Sequence, residues 1–222
     1  LNHLGESVKL PGTMTENEKG DNISLNTRWT GSIVDSSFFL SPAYERYRRK
    51  DNFKIPFWLQ PDKHYYGVAW YKKEITIPAA WKNKKLEIYF ERCHWQSTLW
   101  VDTILAGTQN GLSTPHIFFI PSSISPGKHI ITVRIDNRIN DINPGENSHS
   151  ITDHTQTNWN GVVGNMSLEA RDKIYLDNIR LFPDPSDKKV TAELQVINSG
   201  EKAANVTVTI SVTNDKGELV NS

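Results

Sequence analysis

The sequence has very little cysteine, no excess of charge of either sign and no long apolar run. A single cysteine, Cys93, in 222 residues excludes an internal disulfide framework and argues against a cysteine-based zinc site. Lys plus Arg and Asp plus Glu each number 25, so the formal net charge is zero, whereas nucleic-acid-binding domains usually carry a basic excess. No stretch approaches the ~20 apolar residues that cross a bilayer. We therefore expect no nucleic-acid partner and no membrane span.

The first residues also lack the basic stretch and the apolar core of an export signal. Because the chain starts at Leu1, we interpret it as an excised or processed product from which a signal would be gone. Localisation cannot be read directly from such a chain, and we favour a periplasmic or secreted protein over a cytoplasmic one.

Helical periodicity is scarce, and apolar residues instead recur at every second position. In 128–136, for example, Ile131, Val133 and Ile135 alternate with polar residues. The same reasoning predicts strands at 68–77, 85–91, 97–106, 116–120 and 128–136, and short helical turns at 43–50 and 79–82. Short strands separated by turn residues predict an all-β chain, a sandwich or jelly roll.

The pattern changes near residue 172, after which the alternation is more regular. We predict strands at 179–182, 190–196 and 206–213, with a hairpin-like turn at 198–201 between the last two. An immunoglobulin-type sandwich needs ~7 strands and ~100 residues. The interpretation is a domain at 1–172 followed by an incomplete immunoglobulin-like β-sandwich at 173–222.

Several ordered motifs carry a family resemblance. They are Gly67-Val68-Ala69-Trp70-Tyr71, Leu99-Trp100-Val101-Asp102, Pro126-Gly127-Lys128-His129, Val133-Arg134-Ile135-Asp136-Asn137-Arg138 and Trp159-Asn160-Gly161-Val162-Val163-Gly164. In this order they resemble the N-terminal sugar-binding domain of glycoside hydrolase family 2, which contains β-galactosidases and β-glucuronidases. The resemblance implies a galactose-binding-like jelly roll over 1–172, and the tail resembles the start of the family's immunoglobulin-like domain. One departure is Asp102-Thr103, where the family often has Asn-Gly.

The resemblance also implies an activity for the full-length protein. Family members are retaining glycosidases, whose two catalytic carboxylates lie on a (β/α)8 barrel of about 250 residues. No barrel is present here, so the resemblance implies a fragment without catalytic residues of its own and inactive alone. The implied partners are a β-galactoside or β-glucuronide and the catalytic barrel of the same full-length chain, and the oligomeric state stays open. No cofactor is expected, and the resemblance leaves open a structural or pocket cation, such as sodium, calcium or magnesium, in the intact enzyme.

A polar loop before Trp159 contains the candidate substrate-binding residues. Carboxylates and amides bind sugar hydroxyls, and an aromatic ring packs against the apolar face of a sugar. In related β-galactosidases a loop at this place reaches the barrel mouth, where an acidic residue touches sugar and cation. Asp153 is our first choice for that role and Asn158 the second. The full candidate set is His149, Asp153, Gln156, Asn158, Trp159 and Asn160. The alternative is that these side chains hold a long loop together through local hydrogen bonds.

Other residues have structural interpretations that we favour. Metal binding by His149 and His154 lacks a defined ligand set. Cys93 is expected to be a buried, inert thiol, and Trp70, Trp95 and Trp100 are expected in core packing or cation–π contacts. Trp58, Tyr65 and Tyr66 are candidates for a stacking surface or for docking on the catalytic barrel. Two alternative functions therefore stay open: a stand-alone carbohydrate-binding module that uses the aromatics of 53–66, and a purely structural β domain.

Overall fold

The computed structural model describes residues 5–29, 37–55, 62–139 and 158–220. The chain divides into two compact units, Leu1–Ala170 and Arg171–Ser222. Strands dominate both units, and the prediction of an all-β fold is confirmed. No helix among the described residues is long and apolar enough to cross a membrane.

The first unit contains twelve described strands, most of them in two sheets. The strands are β1 (Gly12–Thr13), β2 (Asp21–Asn22), β3 (Arg48–Arg49), β4 (Asn52–Phe53), β5 (Lys63–His64), β6 (Val68–Ile77), β7 (Lys85–His94), β8 (Gln96–Val101), β9 (Ile104–Asn110), β10 (His116–Phe119), β11 (Gly127–Asp136) and β12 (Gly161–Arg171). Its helices are one α-turn, α1 (Ser37–Leu40), and two 3₁₀ helices, Pro42–Tyr47 and Ala79–Trp81.

Two four-stranded sheets form the sandwich, and β1–β12, β7–β10, β6–β11, β11–β8 and β8–β9 are antiparallel pairs. One has the order β1-β12-β7-β10 and the other the order β6-β11-β8-β9. Strand β11 is central because it pairs with β6 along ten residues and with β8 along six. The alternating residues identified in the sequence, Val133 and Ile135, point into the core between the sheets. Buried apolar side chains from both sheets complete this core: Ala69, Tyr71, Ile77, Leu86, Ile88, Phe90, Leu99, Val101, Phe118 and Val162.

The predicted strand at 97–106 is two strands with a tight turn between them. Asp102 takes a φ of 54° in this turn, a left-handed conformation that Asp tolerates better than most residues. Its Oδ1 accepts a hydrogen bond from the backbone N of Ile130 at 2.9 Å. Asp therefore does at this position what an Asn or a Gly does in other tight turns.

The second unit contains one described sheet, formed by β13 (Ile174–Asp184) and β14 (Lys189–Asn198). The predicted hairpin between 190–196 and 206–213 is wrong, because β14 pairs with the preceding β13 and not with the following segment. Residues 203–212 show the predicted alternation but form no strand with any described residue, and Ile210 is 63% exposed. An alternating pattern makes a strand only where another strand supplies backbone partners.

Candidate functional site

The motif at 133–138, at the end of β11, forms an ion-pair cluster. Asp136 is buried and accepts hydrogen bonds from Nη2 of Arg134 at 2.6 Å and Nη2 of Arg138 at 2.7 Å. The hydrogen bonds from Arg138 lower the pKa of the Asp136 carboxyl, although burial acts against them. Asp136 is thus held ionised between two guanidinium groups, which suits a structural anchor better than a proton-transferring group.

The next residue, Asn137, joins the end of β11 to the segment before β6. Its Oδ1 accepts from the backbone N of Gly67 at 2.7 Å, and its Nδ2 donates to the carbonyl of Tyr65 at 2.8 Å. Asn137 is buried, so these bonds are shielded from water. The amide thereby fixes the position of Tyr65 and of its neighbour Tyr66 at this end of the sandwich.

Two of the predicted sugar-binding amides belong to the same buried network. Asn158 donates from Nδ2 to the carbonyl of Asn137 at 3.0 Å. Asn160 is fully buried; its Nδ2 donates to the carbonyls of Gly67 and Ile135, and its Oδ1 accepts from the Tyr71 hydroxyl, each at 3.0 Å. These contacts match the structural alternative set out for the loop. Contact of either amide with a sugar stays a prediction.

Trp159, the predicted stacking residue, is partly buried beside His94. The two rings are stacked with centroids 4.7 Å apart and planes inclined by 30°. Nδ1 of His94 also donates to the carbonyl of Trp159 at 2.7 Å. His94 was missed as a neighbour of this site, because 65 residues separate the two positions. A sugar contact by Trp159 stays a prediction.

The remaining candidates lie outside the described residues. They are His149, Asp153 and Gln156, together with His154 and the aromatic Trp58. Their predicted roles therefore stay predictions. Within the described part of the chain, no group of three or more His, Cys, Asp or Glu side chains is placed to hold a metal ion.

Cys93 and a nearby Ser–His pair are enclosed in the core. Burial raises the pKa of the Cys93 thiol to about 12, in agreement with the predicted inert thiol. His116 donates from Nε2 to the carbonyl of Gly111 at 2.9 Å, so its Nδ1 accepts the Ser97 hydroxyl at 2.5 Å. Both side chains are almost completely buried, and the pair therefore has no access to a substrate.

The outer face of the sheet β6-β11-β8-β9 presents an aromatic pair, Trp70 and Trp100, for which the sequence favoured core packing or cation–π contacts. Trp70 is 52% exposed, and its ring stacks on Trp100 with centroids 5.5 Å apart and an angle of 30°. Core packing, the first of the two roles expected for Trp70, is therefore wrong. The alternation along β6 would have predicted this exposure. Trp70 lies between Ala69 and Tyr71, which are buried, and neighbouring residues on a strand face opposite sides of the sheet.

Comparison with known proteins finds similarity to glycosidases. No family model matches the sequence. The chain is 23% identical over 216 residues to a β-galactosidase of Thermoanaerobacter pseudethanolicus. The resemblance to glycoside hydrolase family 2 is confirmed. This alignment covers 91% of the chain but 28% of the galactosidase.

Solved structures share the fold. A β-glucuronidase of Ruminococcus gnavus superposes with a TM-score of 0.54 at 18% identity, covering 72% of this chain and 28% of that one. A β-glucuronidase of the same organism, solved in complex with D-glucuronic acid, gives a TM-score of 0.55 at 18% identity. A β-glucuronidase of Faecalibacterium prausnitzii gives 0.51 at 20% identity over 61% of this chain and 27% of that chain. The chain thus spans under a third of the length of these relatives.

Proposed function

We propose that the chain is the non-catalytic N-terminal portion of a retaining glycoside hydrolase that acts on β-galactosides or β-glucuronides. The observation that carries this proposal is the unequal coverage of the alignment. A β-galactosidase matches 91% of this chain, yet the match uses 28% of that enzyme. A segment of that size has room for the sandwich, and the catalytic barrel needs about 250 further residues.

The contacts of the strand glutamates support a catalytic centre elsewhere. Retaining glycosidases need two carboxyl groups ~5–5.5 Å apart. Glu74 pairs with Lys128 at 3.0 Å, Oε2 of Glu91 accepts from the backbone N of Asn165 at 2.7 Å, and Glu169 accepts from the Ser167 hydroxyl. Glu87 is buried within β7. Glu74, Glu91 and Glu169 thus each contact a different group of the sandwich, as expected of a supporting domain.

The second unit supports the same proposal. A two-stranded sheet is marginal by itself, and sandwiches need further strands to cover their apolar side chains. Ile179, Leu181 and Phe182 on β13 are half or more exposed. We propose that residues 173–222 begin an immunoglobulin-like sandwich whose other strands follow in the intact protein.

An activity comparison tests the proposal. The 222-residue chain and the protein extended into the proposed barrel are assayed with p-nitrophenyl β-D-galactopyranoside and β-D-glucopyranosiduronate. We expect nitrophenol release from one of the two substrates by the extended protein alone, with a β-configured first product detected by NMR. Turnover by the 222-residue chain, or an inverted product, would contradict the proposal.

The loop before Trp159 has its own test in the extended protein. If Asp153 contacts the sugar or a pocket cation, Asp153→Ala lowers kcat/KM at least tenfold, whereas Asp51→Ala, in an exposed turn, leaves it unchanged. An Asp153→Ala enzyme with the parental kcat/KM would contradict the proposed contact of Asp153 in the substrate pocket.

A carbohydrate-binding module is the second candidate, and the exposed Trp70, stacked on Trp100, favours it. Exposed aromatic rings supply large apolar faces at low cost in conformational entropy. If this function is correct, the 222-residue chain binds a soluble sugar, and Trp70→Ala abolishes the binding while the fold is retained.

A further inference from the structure

A polar cleft of about 430 Å³ lies beside β2 and β5. Its volume falls in the ~300–1,000 Å³ range of small-molecule sites. The lining includes Asp21, Asn26, Arg28, His64 and Tyr66. None of these residues was singled out in the sequence as a binding residue except Tyr66, which was considered for stacking.

The wall of the cleft is held by backbone contacts. Asp21 pairs with His64 in the β2–β5 ladder. Gly20, with a φ of 114°, lets the two strands approach so closely that a Cβ would lie 2.4 Å from the carbonyl oxygen of His64. In the adjoining turn, the backbone N of Ser24 donates to the Thr27 hydroxyl at 2.9 Å. These contacts therefore fix the backbone of the segment 20–27 that lines the cleft.

Three polar side chains in the cleft have hydrogen-bonding capacity to spare. Among the described residues, the side chains of Asp21, Asn26 and Arg28 have no hydrogen-bond or ion-pair partner. Tyr66 is 45% exposed, and its hydroxyl oxygen accepts from the backbone N of Ile139 at 3.3 Å. The Tyr66 hydroxyl can still donate its own hydrogen.

This combination of groups selects one ligand chemistry. A single carboxylate is too few for a hard cation, which takes six or more oxygen ligands or keeps several waters. The same carboxylate repels a simple anion that Arg28 would otherwise attract. A sugar satisfies all groups together: vicinal hydroxyls donate to a carboxylate and accept from a guanidinium or an amide, and the C–H face packs on an aromatic ring.

We infer that this cleft binds a saccharide unit, with Asp21 accepting from two hydroxyls, Arg28 and Asn26 donating, and Tyr66 contacting the apolar face of the ring. The inference deepens the proposed function, since it names a sugar contact on the first unit. It uses neither the loop before Trp159 nor the Trp70–Trp100 pair. With a site in this cleft, the first unit itself would bind a saccharide, without the catalytic barrel.

The test is a titration of the ¹⁵N-labelled 222-residue chain with methyl β-D-galactopyranoside, followed by amide NMR. We expect saturable shifts of the amides of 21–28 and 64–66 with a millimolar Kd. Asp21→Asn and Arg28→Gln should each weaken binding at least tenfold. The matched controls Asp51→Asn and Arg92→Gln, both on exposed side chains outside the cleft, should stay within twofold.

Three results would overturn the inference. They are the absence of saturable shifts, equal affinity of Asp21→Asn and the parent, and binding that Trp70→Ala removes but Asp21→Asn does not. A titration with sodium sulfate that reproduces the shifts, while the sugar does not, would assign an anion to the cleft and also overturn it. Hydrolysis by the extended protein is measured separately, so a failed titration leaves the proposed glycosidase assignment to its own assay.

Discussion

Asn160→Ala removes the residue that ties three parts of the sandwich together. The change deletes the two hydrogen bonds to the carbonyls of Gly67 and Ile135 and leaves the buried Tyr71 hydroxyl without its acceptor. Each hydrogen bond contributes ~1 kcal/mol net, and an orphaned buried polar group costs ~1–3 kcal/mol. Burial also raises the pKa of Tyr71, so its phenol stays neutral and needs an acceptor. We expect a loss of about 3–5 kcal/mol in the free energy of unfolding.

The assay is urea unfolding of the 222-residue chain, followed by tryptophan fluorescence. With a slope of ~2 kcal/mol per molar urea, the midpoint should fall by about 1.5–2.5 M. Asn165→Ala is the control because its side chain is exposed, and it should shift the midpoint by less than about 0.25 M, equivalent to ~0.5 kcal/mol. If Asn160→Ala unfolds at the same urea concentration as Asn165→Ala, the network does not hold the fold and the reasoning is refuted.

Three further predictions concern other parts of the first unit. Gly161→Ala should destabilise by at least ~2 kcal/mol, since its Cβ would lie 2.4 Å from the carbonyl oxygen of Gly12 in the paired strand β1. His129→Gln should flatten the pH dependence of unfolding: Asp102 raises the pKa of His129, so the pair stabilises at low pH and the stabilisation is lost as pH rises through that raised pKa. Cys93 should not react with a disulfide reagent at pH 8 until urea unfolds the chain, because burial raises its pKa.

Each of these predictions has a defined contrary result. Gly5→Ala, where an added Cβ meets nothing within 4 Å, should be neutral, and equal effects of the two alanines would contradict the packing argument. For His129, both ring nitrogens face oxygen acceptors at 2.7 and 2.8 Å, a pattern that the imidazolium alone satisfies. An equal pH dependence of the free energy of unfolding for the parent and His129→Gln would contradict the stabilisation by the His129–Asp102 pair. Rapid labelling of native Cys93 would contradict the buried thiol.

The long strands β6, β7 and β11 could be predicted because each one carries its alternating pattern locally, whereas the two-residue strands β1 to β5 carry no such pattern. Alternation in 128–136 places Ile131, Val133 and Ile135 on one face, and β11 forms there. The same rule applied one residue at a time would also have placed Trp70 on the outside. The all-β fold and the family resemblance thus follow from short-range patterns and the order of motifs.

The contacts around the candidate site could not be predicted in the same way, because they join distant positions. Asn160 donates to Gly67, 93 positions earlier, and Asn137 accepts from the same residue 70 positions away. Likewise, the alternation in 206–212 contains no information about which strand would pair with it. An Asn in a sequence is compatible with binding either a sugar or a backbone carbonyl. The burial of the side chain in the folded protein distinguishes the two roles.

The stacked tryptophans on the outer sheet face have an optical consequence. Two indole chromophores 5.5 Å apart and inclined by 30° couple their electronic transitions, and the coupling vanishes once β6 and β8 separate. The paired bands that such coupling produces in ultraviolet circular dichroism therefore report the native arrangement of these two strands independently of the weak backbone signal of a β protein. Either Trp70→Phe or Trp100→Phe would abolish the pair of bands and leave a spectrum of isolated indoles.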